Sequence, residues 1–261
     1  MRNLRLLTIG GYISYRAMFG WLNPYLYSLT VLLPSLTQLA FFVYLGRASH
    51  VANDSYYVAG NALLAAATPS LFGMAQTIAG ERYSQTLALL VVSPANRTAV
   101  FLGRALPATA NGILTSIWTF AIAAVLFQIA VPTRALLPLA LAIVATSFSC
   151  VGLGLFNASL GLRWRETGVL GNLFLYLLLM FAGVNVPLDR LPSWLSTLSQ
   201  GIPVTHGAKA ARELVAGASF GHVVWLIAAE ALVGAIYAAV GIVALRLFEL
   251  EARRGATLEV A

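Results

Sequence analysis

Only nine of the 261 residues are acidic and three are histidine, so the groups able to do acid–base or metal chemistry can be taken one at a time. Glu230 stands apart, because residues 223–229 before it and 231–236 after it are almost wholly apolar. A carboxylate in such a run is expensive to bury and marks a functional candidate. It would touch a substrate, pair with an arginine of a neighbouring helix, or be held neutral. His50, His206 and His222 lack the helical spacing that sets two imidazoles on one face, which argues against a zinc site. Cys150 is the only cysteine and lies in an apolar run, so neither an intrachain disulfide nor a cysteine-based metal site is expected. The apolar runs hold no Ser/Lys pair, no pair of aspartates and no His-Glu-x-x-His pattern that would supply a nucleophile or metal. No glycine-rich loop ends in Lys-Ser or Lys-Thr, and Lys209 is the only lysine, so an ATP-driven process needs its motor on another polypeptide. The residue types therefore predict no catalytic or metal residue and no cofactor bound by this chain.

The elements that carry these residues are membrane helices. Apolar residues make up 59% of the chain and charged residues 10%, against roughly a quarter charged in a soluble domain. A span needs about 20 mostly apolar residues. Six stretches qualify, at 26–46, 57–78, 106–129, 136–160, 169–186 and 223–248. The reading is a single all-α integral membrane domain over 1–261. A net charge of +7 is also found in nucleic-acid binders, but the arginines cluster at the ends of apolar runs, which fits membrane orientation and no nucleic acid. Arg47, Arg134, Arg190, Lys209 and Arg212 fall on one side, and the other eleven basic residues on the opposite side. The richer side is expected to be cytoplasmic, with both termini there and the chain multi-pass in a bacterial inner membrane.

Two flanking segments have their own character. Residues 1–23 place Leu4, Leu7, Tyr12, Tyr15, Met18, Phe19 and Leu22 on one helical face, with Arg2, Arg5 and Arg16 away from it. This predicts an amphipathic interfacial helix resting on membrane lipids before Asn23-Pro24 re-aims the chain. Its alternative is a frayed start to the first span, given Gly10-Gly11. No cleavable signal peptide is expected, because Gly10, Gly11, Tyr12, Tyr15 and Arg16 interrupt the apolar core. Residues 187–215 are too apolar for an open loop and too broken by Pro187, Pro192 and Pro203 for a span. Short helices re-entering the outer leaflet fit them, with Trp194 at headgroup level. Asn61, Asn111, Asn157, Asn172 and Asn185 lie in or at the edges of spans, and Gly152, Gly154, Ala158 and Gly161 run along the fourth; both sets read first as helix-packing residues.

The most informative stretch is the link 80–97. Glu81 and Arg82 open it, a short apolar helix with Leu87, Leu90 and Val91 on one face follows, and Ser93-Pro94 closes it before Arg97. Such a face would plug into a groove on a soluble partner; otherwise it would lie on lipid. Glu81-Arg82, Thr86-Leu87, Ser93-Pro94 and Arg97 together resemble the type-two ATP-binding-cassette (ABC) transporter permeases, which include daunorubicin-type drug exporters and polysaccharide exporters. That family usually has glycine where this chain has Gln85. Two further stretches are similar to the family in the same order: 186–214, with Ile202-Pro203-Val204-Thr205 and Ala211-Arg212-Glu213-Leu214, and the exit Arg246-Leu247-Phe248-Glu249.

The resemblance implies an ATPase-coupling segment at Glu81, Arg82, Gln85, Thr86, Leu87, Leu90, Pro94 and Arg97. It implies two copies of an ABC ATPase subunit carrying ATP and Mg, and a second permease chain, identical or a paralogue. It also implies export of an amphiphilic or hydrophobic drug, lipid, glycolipid or peptide. Phe41, Phe42 and Tyr44 of the first span, with Asn172, Phe174, Tyr176 and Phe181 of the fifth and Glu230 of the sixth, are then candidates for the substrate pathway. The competing reading is a secondary transporter or channel that works without ATP and uses Glu230 as its coupling group.

Overall fold

The computed structural model describes residues 24–74, 97–161 and 167–255, and every regular element among them is helical. The described residues begin with α1 (Pro24–Tyr27), run through one wide turn at Ser28–Leu32 and continue as α2 (Leu33–Ser49). The wide turn has a local cause. Pro34 has no N–H and its ring crowds the preceding turn, so the ladder loosens there and the Leu33 N–H reaches back to the Ser28 carbonyl. The Thr30 and Ser35 hydroxyls return to the carbonyls of Leu26 (2.6 Å) and Val31 (2.9 Å).

Next comes α3 (Asp54–Leu64), whose first turn is capped by the Asn53 side chain accepting from the Tyr56 N–H. The expected second span, 57–78, is interrupted at Ala65–Ala66 before helix resumes over 67–74. Pro69 explains the break, since its ring would strike the carbonyl four residues earlier in an unbroken helix. Then follow α4 (Arg97–Leu126), α5 (Leu136–Leu160) and α6 (Thr167–Phe181). The fifth expected span, 169–186, thus ends early, and α6 with 15 residues is about 22 Å long. Its helix stops where Gly183 takes φ +68°, a conformation that side-chain-bearing residues resist. The proline-punctuated segment forms a single 3-10 turn at Leu188–Arg190, then α7 (Ser193–Ser199) and α8 (Thr205–Val215). Helix α9 (Phe220–Gly255) completes the described chain.

Four of the described helices are long and apolar enough to cross a membrane: Tyr25–Ser49, Ala105–Leu126, Thr133–Leu160 and Phe220–Phe248. Their packing is uneven. In the apolar window of the α5 span 72% is buried, whereas in that of the first span only 17% is. Small residues set the scaffold pair α5–α9. A Cβ on Gly152 would come within 2.4 Å of the Gly234 carbonyl oxygen, and one on Gly234 within 2.7 Å of the Ser149 Cα. The two backbones touch through these positions, and close approach of this kind is how membrane helices gain packing energy. Around this pair, α4 and α5 pack together and α2 lies against α3 and α4. Polar pins cross between helices: the Ser116 hydroxyl donates to the Ala62 carbonyl (2.8 Å) and the Tyr27 hydroxyl to Asn111 Oδ1 (2.5 Å).

Candidate functional site

Helix α8 is the centre of the best-defined polar arrangement. It is amphipathic, buries Thr205, His206, Gly207, Ala208, Ala210, Ala211 and Leu214, and packs against α3, α5 and α9. Its start lacks a conventional cap. Val204 occupies that position with φ +77° and carries no side-chain oxygen. Glu230, fully buried on α9, supplies the acceptor instead. Its Oε1 accepts the Val204 N–H at 2.7 Å, and its Oε2 accepts those of His206 at 3.1 Å and Gly207 at 3.0 Å. The Ser149 hydroxyl of α5 donates to Oε1 as well. A carboxylate is favoured at a helix start by the partial positive charge there, and three otherwise orphaned N–H groups find a partner.

The last turn of α8 holds a charge of the opposite sign. The Arg212 guanidinium lies 3.5 Å from the Tyr56 ring centroid and donates to the main-chain carbonyls of Tyr56 (3.1 Å) and Val184 (2.9 Å). Burial pulls its pKa down to about 10, which still leaves it cationic at neutral pH. Around it the Tyr56 hydroxyl donates to the Gly183 carbonyl (2.7 Å), and Asn61 Nδ2 donates to Asn185 Oδ1 (2.8 Å). Arg212 therefore ties α8 to the start of α3 and to the turn that ends α6. Of the sequence candidates, Glu230 is brought to α8, and Asn61 and Asn185 are brought together.

The other candidates lie apart from this arrangement. Phe41 and Tyr44 on α2 and Tyr176 on α6 are exposed. Phe42 stacks edge-on with Phe41 at 5.3 Å, Tyr44 with Phe127 at 6.1 Å, and Phe174 packs against Phe156 at 6.0 Å. Asn172 is exposed and bonds back to the Gly168 carbonyl (3.1 Å), and Phe181 is half-buried at the end of α6. The two aromatic sets belong to different packing neighbourhoods, α2 on α3 and α4, α6 on α5 and α7. Glu81, Arg82, Gln85, Thr86, Leu87, Leu90 and Pro94 lie outside the described residues, as does the interfacial segment 1–23; Arg97 is the first residue of α4. The histidines lie in separate surroundings: His206 bonds the Gln200 carbonyl (2.9 Å), His222 lies 3.6 Å from Glu213, and His50 ends α2 at φ +51°. The residue types gave no reason to single out Val204, whose N–H is one of the four donors to Glu230. A buried helix opening at Val204-Thr205 with no capping side chain was the available signal.

A protein-family model described as ABC-2 type transporter matches residues 13–216. The chain belongs to that family. It is accordingly the membrane subunit, or permease, of an ABC transporter, and its family works with an ABC ATPase subunit. No curated protein matches it. The matched part of this ABC-2 permease takes in the whole link 80–97 and stops one residue after α8. Glu230 lies beyond that limit, so the carboxylate joins the matched region to the last helix.

Proposed function

We propose that this ABC-2 permease is the transmembrane half of an ATP-driven exporter that moves an amphiphilic or hydrophobic substrate out of the cytoplasm. Two copies of an ATPase subunit dock on the link around Glu81 to Leu90, from below a dimer of permeases that are identical or paralogous. ATP binding on the ATPases pushes this link, the span bundles rock, and a path opens between the permease halves. The chain is multi-pass in a bacterial inner membrane with both termini inside, and the link 80–97 is on the cytoplasmic face. The observation that carries this reading is the family match across the link, in a chain whose sequence has no phosphate-binding loop of its own. An amphiphile can reach the exposed Phe41, Tyr44 and Tyr176 from the lipid, which suits such a substrate better than a compact ion.

Inverted membrane vesicles containing this chain and its ATPase test the direction and the motor together. A fluorescent amphiphilic dye should accumulate inside them when ATP is added, and an ATPase with its Walker lysine replaced should abolish the uptake. Uptake driven by a proton gradient without ATP would overturn the proposal in favour of a secondary transporter.

A further inference from the structure

Three helices meet on one side chain. Glu230 leaves α9, takes three main-chain N–H groups at the start of α8 and meets the Ser149 hydroxyl of α5. Every one of these partners is held by its own helix, so the carboxylate has little freedom to turn elsewhere. An independent contact closes the same junction. A Cβ on Gly207 would come within 2.0 Å of Thr146 Oγ1 and 3.3 Å of Thr146 Cβ, so the Thr146 side chain of α5 rests directly on the α8 backbone. The glycine contact between α5 and α9 closes the third side.

We infer that Glu230 is a positioning residue that fastens α8 to α5 and α9, making the three helices one rigid body that is carried as a unit through the transport cycle. Helix α8 then is not a lid that lifts from the last span. The opposite end of α8 is held separately, where Arg212 contacts α3 and the turn after α6 through two carbonyls and a ring. The role is mechanical, and it deepens the permease reading, on which the activity readout alone depends.

The geometry supplies its own test. A Cβ–Cβ separation near 3.3 Å at Thr146 and Gly207 is close to the roughly 3.5–4.5 Å of a disulfide. In a Cys150→Ala background, Thr146→Cys with Gly207→Cys should cross-link on oxidation in the full complex with its ATPase. The oxidised and reduced forms should hydrolyse ATP within about twofold of each other. Adding Glu230→Ala should lower the melting temperature of the reduced protein by roughly 5–10 °C and reduce ATP hydrolysis at least fivefold. Oxidation should restore both. If Glu230→Ala gives no protein, Glu230→Gln keeps the volume and one acceptor oxygen and carries the same comparison. Two results would overturn the inference. One is a cross-link that stops ATP hydrolysis until reductant is added, because α8 must then separate from α5. The other is a cross-link that restores the melting temperature but not the activity, because the carboxylate then does more than hold. Failure to purify any ATPase with the chain counts against the permease reading, while the melting comparison still decides the tie.

Discussion

Two charged arrangements, one on α8 and one where α2 meets α3, are built in opposite ways. Arg47 and Asp54 bond side chain to side chain, with Nε to Oδ1 at 3.0 Å and Nη2 to Oδ2 at 2.5 Å, and Arg47 is half exposed. Glu230 is fully buried and Arg212 largely so, and neither pairs with a charged side chain in the arrangement described. The carboxylate takes N–H groups at the start of α8, and the guanidinium, on its last turn, takes carbonyls of α3 and of the turn after α6. Glu230 thus complements the partial positive charge of the α8 start, and Arg212 places a cation at its other end. The molecule depends on charge more at the buried site than at the exposed one. Water can replace the partner of an exposed pair, but nothing near a buried helix start replaces a lost acceptor.

The comparison is broken most severely by Glu230→Ala. Three N–H groups would lose their acceptor at about 1–3 kcal/mol each when buried, and the melting temperature of the detergent-purified chain should fall the furthest of any variant here. Next is Gly234→Leu, which drives a side chain into the Ser149 backbone. Overpacking of this kind costs about 1–3 kcal/mol, and it should be seen as a lower melting point and loss of the oxidative Thr146–Gly207 cross-link. Arg212→Met keeps the volume but strands the Tyr56 and Val184 carbonyls. It should destabilise by about 1–2 kcal/mol, and Arg212→Lys should recover only part of this, because an ammonium cannot span both carbonyls while lying flat on the ring.

Asp54→Asn should have the smallest effect, a slight fall in the melting temperature at neutral pH. The hydrogen bond from Arg47 holds the Asp54 carboxyl below its ordinary value. A depressed carboxylate contributes its stability above the unfolded pKa and loses it as pH falls through the folded one. The pair should therefore weaken only in acid, below the ordinary aspartate range near 3.9, and Asp54→Asn should remove that acid step from a pH series of melting curves.

Much of the scaffold was legible in the residues. The apolar run at 136–160 coincides with α5, because no proline or glycine interrupts its later turns in a way that Gly152 and Gly154 cannot accommodate against a neighbour. The prolines at 187, 192 and 203 announced short helices, and short helices are what the segment forms. Hydropathy could not show the break at Ala65–Ala66, since alanine, threonine and proline there leave the mean apolar character high while Pro69 removes the geometry. Nor could it end α6 at Phe181, because that depends on one backbone torsion at Gly183. Glu230 was legible as an anomaly and its partners were not. They are backbone N–H groups, which every residue but proline carries, and only the fold says which of them lie within 3.1 Å.

In the function proposed for this ABC-2 permease, a separate ATPase docks on the link around Leu87 and Leu90 and moves it. Co-expression with the candidate ATPase, followed by affinity purification of this chain in mild detergent, tests it most directly. Two ATPase copies per permease pair should be retained, and Leu87→Asp with Leu90→Asp should reduce the retained ATPase at least tenfold while the permease still purifies as a folded protein. Retention of no ATPase by the unaltered chain, or equal retention by the double variant, would contradict the account.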